Sequence, residues 1–88
     1  MSYRLELSHQ TKKTLKILDK ATIHRIERRF IELSLAPFDS RLSKPLEMGE
    51  GEWATRVGNW RIIFGINEAE KTIQVFSIEP RGKAYRRF

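Results

Sequence analysis

Residues 52–88, EWATRVGNWRIIFGINEAEKTIQVFSIEPRGKAYRRF, carry the reading on which the fold depends. Trp53 to Val57 and Trp60 to Ile66 read as two strands. Gly58-Asn59 joins them, because glycine tolerates the positive φ that a two-residue hairpin connection demands. Thr72 to Ile78 is dense in β-branched and aromatic residues and reads as a third strand. The loop Asn67 to Lys71 separates it from the second. Pro80 has no N–H to donate and ends the ladder. Alternation breaks where Ile62 meets Ile63 and where Val75 meets Phe76. The sheet is therefore expected to be covered on one face and partly lined by apolar groups on the other. A basic, aromatic tail follows: Arg81-Gly82-Lys83-Ala84-Tyr85-Arg86-Arg87-Phe88.

Working outward, Tyr3 to Leu7 alternates apolar and polar residues and predicts a leading strand. Ser8 can cap a helix over residues 9–18, with Leu15 and Leu18 inward and Lys12, Lys13 and Lys16 outward. Asp19 or Thr22 can cap a second helix, whose apolar positions Ile23, Ile26, Phe30 and Leu33 recur at helical spacing. Arg25, Arg28, Arg29 and Glu32 fall on its wet side, and Pro37 marks its end. Residues 36–52 read as a long ordered connection with Leu42, Leu46 and Met48 tucked beneath it, a length that is often functional. The expected fold is α+β: a helical hairpin packed on a small, mostly antiparallel four-stranded sheet in the order β-α-α-β-β-β. With no repeat or linker, residues 1–88 form a single domain.

The chain has no cysteine, so neither a disulfide nor a thiolate metal site staples it. No apolar run reaches the roughly 20 residues of a membrane span, and the N-terminus lacks the apolar segment of a signal peptide. These features predict a cytoplasmic protein with no membrane partner. Its 17 Lys and Arg against 11 Asp and Glu leave a charge of +6. Such a surface attracts polyanions, nucleic acid first among them, or an acidic protein.

Metal chemistry has little support, because His9 and His24 stand alone with no ligand spacing. No cofactor motif is present, and the acidic Gly49 to Glu52 stretch is unsuited to cradling phosphate. The cationic set carries more. Arg56 and Arg61 count inward from the Gly58-Asn59 turn to neighbouring positions. Arg81, Lys83 and Tyr85 follow the third strand, where the chain can return along the sheet. Fixed guanidinium groups match phosphate oxygens and stabilise charge building on them. Tyr85 can stack on a base or reach a ribose hydroxyl. The same residues also read as solvated strand arginines and a tail aromatic docked in the core.

Together, Arg56-Val57-Gly58-Asn59-Trp60-Arg61-Ile62-Ile63-Phe64 and Arg81-Gly82-Lys83-Ala84-Tyr85 resemble the RelE/ParE superfamily of toxins from toxin–antitoxin pairs. The family shows a strand of the form R-V-G-D-Y-R-V-I-Y and an end of the form H-R-x-x-V-Y. The resemblance extends to the leading strand and to the helix end Ile31-Glu32-Leu33-Ser34-Leu35-Ala36-Pro37. For the RelE branch it implies a metal-independent endonuclease that cuts messenger RNA in the ribosomal A site. Arg61 would then bind the scissile phosphate and Arg81 would stabilise or protonate the leaving group. Tyr85 would hold the substrate, while Arg56, Lys83, Arg86 and Arg87 would bind RNA.

Ala54 and Thr55 stand where that branch often has lysines, and Pro80 where a histidine commonly precedes the arginine. The general base is left among Lys83, should cationic neighbours lower its pKa, and Glu50 or Glu52, should the connection fold over the site; the two glutamates also read as exposed loop charges. The ParE branch implies a poison of DNA gyrase instead, and a non-catalytic RNA- or protein-binding relative is a third reading. The family also implies a cognate antitoxin. An acidic segment of it would be steered to the helix lysines and arginines and to the tail.

Overall fold

The computed structural model describes residues 2–46 and 51–80. The chain runs β1 (Arg4–Leu7), α1 (His9–Ile17), α2 (Lys20–Leu35), β2 (Ser43–Pro45), β3 (Glu52–Val57), β4 (Trp60–Asn67) and β5 (Thr72–Pro80). The strands form one five-stranded sheet in the order β1-β5-β4-β3-β2. β1 runs parallel to β5, and the other pairs are antiparallel.

The sheet has one strand more than the four expected. The addition, β2, comes from the stretch read as a connection. Three residues carry no period-2 signal, so pairing with the edge of β3 decides their conformation rather than their own pattern. Pro45 is tolerated because β2 is an edge strand. Ser43 Oγ donates to the Pro37 carbonyl at 3.1 Å and the Leu46 N–H to the Glu52 carbonyl at 2.9 Å. Leu42 packs against the core as expected; Met48 lies outside the described residues.

Both helices start where their capping residues allow. Ser8 Oγ accepts from the Thr11 N–H and Asp19 Oδ2 from the Thr22 N–H, each satisfying a donor that the first helical turn leaves open. Of the two caps considered for α2, Asp19 holds the position. Ile26 and Leu33 of α2 are fully buried against Val57, Ile62, Phe64, Ile73, Val75 and Ile78 of the sheet. Leu5, Leu15, Leu18 and Phe30 close the margins of this core.

At the β3–β4 turn Gly58 has φ +59, and Asn59 is not in the left-handed region. That pattern is the one a II′ hairpin turn requires, with glycine first.

A β-bulge interrupts the β4–β5 ladder: Ile63 pairs with Ser77 and Phe64 with Val75, leaving Phe76 without an opposite residue. The extra residue shifts the parity of β5, so Ile73 and Val75 before it and Ile78 after it all face the core. The first turn of α1 meets this irregularity. The Ser8 N–H donates to the Val75 carbonyl at 3.0 Å, Ser8 Oγ to the Phe76 carbonyl at 2.7 Å and Thr11 Oγ1 to the Val75 carbonyl at 3.3 Å. The start of α1 thus holds the Val75 and Phe76 carbonyls beside the bulge.

Candidate functional site

The helices cover one face of the sheet. On the other, the register sets side chains in rows that cross the strands. Arg56 of β3 is opposite Arg61 of β4, and Arg61 is opposite Glu79 of β5. The next row holds Lys44, Ala54, Ile63 and Ser77, and the one after it Glu52, Gly65, Gln74 and Glu6. Ile63 and Phe76 supply the apolar lining that the broken alternation predicted.

Arg56 and Arg61 are direct cross-strand partners, as counting inward from the Gly58-Asn59 turn predicts. Opposed residues have their Cβ atoms about 5 Å apart, and like charges there are unfavourable. An anion seated between the guanidinium groups would relieve that repulsion, and planar guanidinium forks suit phosphate oxygens. The Arg61 guanidinium has no hydrogen-bond or ion-pair partner among the described residues. Glu79 occupies the next strand, and one of its carboxylate oxygens accepts from Ser77 Oγ at 3.3 Å.

Arg29 departs from expectation. Helical periodicity puts it on the wet side of α2, yet its side chain is three-quarters buried. Nη1 donates to Thr55 Oγ1 at 2.6 Å and to the Arg56 carbonyl at 2.7 Å, while Nε holds Glu32 at 3.0 Å. Thr55 Oγ1 in turn donates to the Leu42 carbonyl at 2.6 Å. The network ties α2 and the segment before β2 to the back of β3 at the residue that carries Arg56 forward. The long stem of arginine permits this, since it can pass apolar surface and deliver a polar head beyond it. Helical periodicity carries no information about such reach. Lys12, Lys13, Lys16, Arg25 and Arg28 are exposed as expected.

Arg81, Lys83, Tyr85, Arg86 and Arg87 lie outside the described residues, as does Glu50. Pro80 is opposite Trp60, one position from Arg61. Glu52 occupies β3 four positions from Arg56, roughly 13 Å by strand rise, and does not share the arginine row. The sequence pattern does not place Glu79 beside Arg61. Its placement requires the β4–β5 register, which the bulge displaces by one residue. Among the described residues no three His, Cys, Asp or Glu side chains gather as a metal site, and no helix is long and apolar enough to cross a membrane.

The family model describing the ParE toxin of type II toxin–antitoxin systems matches residues 5–85. The chain belongs to the RelE/ParE superfamily of type II toxins. Archaeal RelE, solved as its RelE–RelB complex from Pyrococcus horikoshii, is 30% identical to it, with a TM-score of 0.82 over 94% of this chain and 99% of that one. The RelBE2 toxin–antitoxin complex from Mycobacterium tuberculosis contains a chain 22% identical, at TM-score 0.80, over 92% of this toxin and 100% of that chain. A chain of the intact Escherichia coli RelBE complex is 14% identical, at TM-score 0.78, over 90% and 96% of the two. At those last two identities the likeness is one of fold. No curated protein sequence matches this toxin. The family model carries the ParE name and the structures carry the RelE name, so membership fixes the scaffold without choosing between the two branches.

Proposed function

We propose that this toxin is a ribosome-dependent messenger-RNA endonuclease. The observation that carries the reading is the Arg56–Arg61 pair on the open face, with Glu79 in the same row. In this reading Arg61, with Arg56 beside it, binds the scissile phosphate and stabilises the charge that builds there. The 2′-hydroxyl oxygen attacks phosphorus while its proton passes to a base, and Glu79 is the carboxylate nearest in register. The bond from phosphorus to the 5′-oxygen breaks, leaving a 2′,3′-cyclic phosphate. The leaving oxygen takes a proton and becomes a 5′-hydroxyl. Arg81 and Tyr85 keep the roles their motif implies, leaving-group stabilisation and substrate holding. Lys83, Arg86 and Arg87 add phosphate contacts.

The partner in this reading is a cognate antitoxin, as RelE has in the RelE–RelB complex. Ile17, Ile31 and Leu35 are exposed apolar side chains on helices that also expose Lys12, Lys13, Lys16 and Arg28. Apolar anchors would supply affinity, and the cations would steer an acidic segment.

The test is addition of the toxin to a translating extract. Cut messages that appear only with ribosomes, and vanish with Arg61→Ala, are the expected result. The match to the ParE family model favours a second reading, a gyrase poison. Intact messages together with blocked DNA supercoiling would establish that one in place of the first.

A further inference from the structure

At the far end of the open face from the arginine row lies a shallow depression of about 390 Å³, open to solvent. Gly51, Glu52, Gly65, Ile66, Gln74 and Phe76 line it. Phe76 is the bulged residue of β5 and is 40% exposed. Its ring lies over Gly65: a Cβ at that position would stand 3.1 Å from ring atoms Cε2 and Cζ. Bulge and glycine together put an aromatic ring on the sheet surface, where burial does not account for it. Glu52, Gly65 and Gln74 cross the strands in one row beside it.

We propose that this depression is a subsite for an unpaired nucleobase carrying an exocyclic amino group, occupied when single-stranded RNA lies along the arginine row. The inference deepens the nuclease reading and rests on it for the identity of the strand. Aromatic rings exposed on a sheet are platforms on which single-stranded bases stack. Gln74 offers both donors and an acceptor, and an ionised Glu52 only acceptors. Adenine, cytosine and guanine present amino donors to such acceptors, whereas uracil, like thymine, presents a carbonyl at the matching position. The carboxylate also repels phosphate, so the backbone is left to Arg56, Arg61 and Lys44 while the base enters the depression. Four strand positions, roughly 13 Å, separate Arg61 from Gly65. A strand seated on the arginines therefore reaches it with a neighbouring base.

The experiment is fluorescence anisotropy of the purified toxin with short labelled oligoadenylate and oligouridylate at low salt. Wild type is expected to favour oligoadenylate by about tenfold, within the range of one good base contact. Phe76→Ala should weaken oligoadenylate binding by about tenfold, the scale of one lost stacking contact. Gly65→Ala, which drives a methyl group into the ring, should act in the same direction. The double change Glu52→Ala, Gln74→Ala should bring the ratio of the two affinities towards one; that response separates base recognition from the stiffness of oligoadenylate itself. Thermal melts confirm that each variant is folded.

Unchanged binding by folded Phe76→Ala and Gly65→Ala overturns the proposal. A ratio insensitive to the double change overturns it too. Failure of wild type to cut messages, with base-dependent binding intact, would remove the nuclease reading and keep the subsite.

Discussion

The two faces of the sheet are built from the same strands yet obey different rules. On the covered face Ile62, Phe64, Ile73, Val75 and Ile78 are interchangeable in kind: each removes apolar surface from water against Ile26 and Leu33. On the open face little is interchangeable. Arg56, Arg61 and Glu79 form one row, Glu52, Gly65 and Gln74 another, and Phe76 lies over the glycine. The covered face stabilises the sheet, and the open face carries Arg56, Arg61 and Glu79 side by side on that support. Stability and activity should therefore separate by face.

The largest effect is expected on the covered face. Phe64→Ala should cost about 3–5 kcal/mol, the usual range for a fully buried phenylalanine. Urea unfolding measures it, and in a domain this small much of the population should unfold. A loss under about 1 kcal/mol would mean the core is not centred where Phe64 sits.

Arg61→Ala on the open face should do the reverse. Cleavage in a translating extract should fall about 10²–10³-fold, as when one preorganised group stabilising transition-state charge is removed. Unfolding free energy should stay within about 0.5 kcal/mol of wild type. Loss of stability together with activity would erase the distinction between the faces.

Thr55→Val probes the join between them. The change leaves the Leu42 carbonyl and one Arg29 contact unsatisfied behind Arg56, at about 1–3 kcal/mol. If the network positions Arg56, RNA affinity should fall beyond what the stability loss explains, and Thr55→Ser should restore both. A purely structural role would show stability loss alone.

The smallest effect belongs to neither face. Hydrogen bonds from the Thr22 hydroxyl and N–H hold the Asp19 carboxyl below its ordinary value of 3.8. A depressed carboxylate contributes stability that is complete above the ordinary value and is lost as pH falls through the lower folded value. Melting temperature should therefore drop in acid. Asp19→Asn keeps a good cap without a titrating group and should flatten part of that acid limb. Asp39, held low by Arg41, should contribute in the same direction. An unchanged profile would show that the cap does not couple to global unfolding.

Much of the covered face was legible in the chain. Helix periodicity placed Ile26 and Leu33 inward, and serine and aspartate marked the helix starts. Gly58 announced the hairpin, because few other residues accept its φ. The hairpin also set Arg56 opposite Arg61, since counting from a two-residue turn fixes register on both arms. Each of these signals is local: it depends on residues within a turn or two and on a period that packing imposes.

What tertiary structure alone decided depends on register between distant segments. β2 exists because β3 offers it an edge. Arg29 reads as a surface residue until β3 is brought within reach of its guanidinium. The bulge at Phe76 moves all that follows it in β5 by one position, and that shift puts Glu79 beside Arg61. The sequence by itself determined the apolar core positions of α2 and the β3–β4 turn, because hydrophobic periodicity and backbone sterics act locally. The neighbours on the open face were decided by strand pairing, whose register depends on one extra residue in β5.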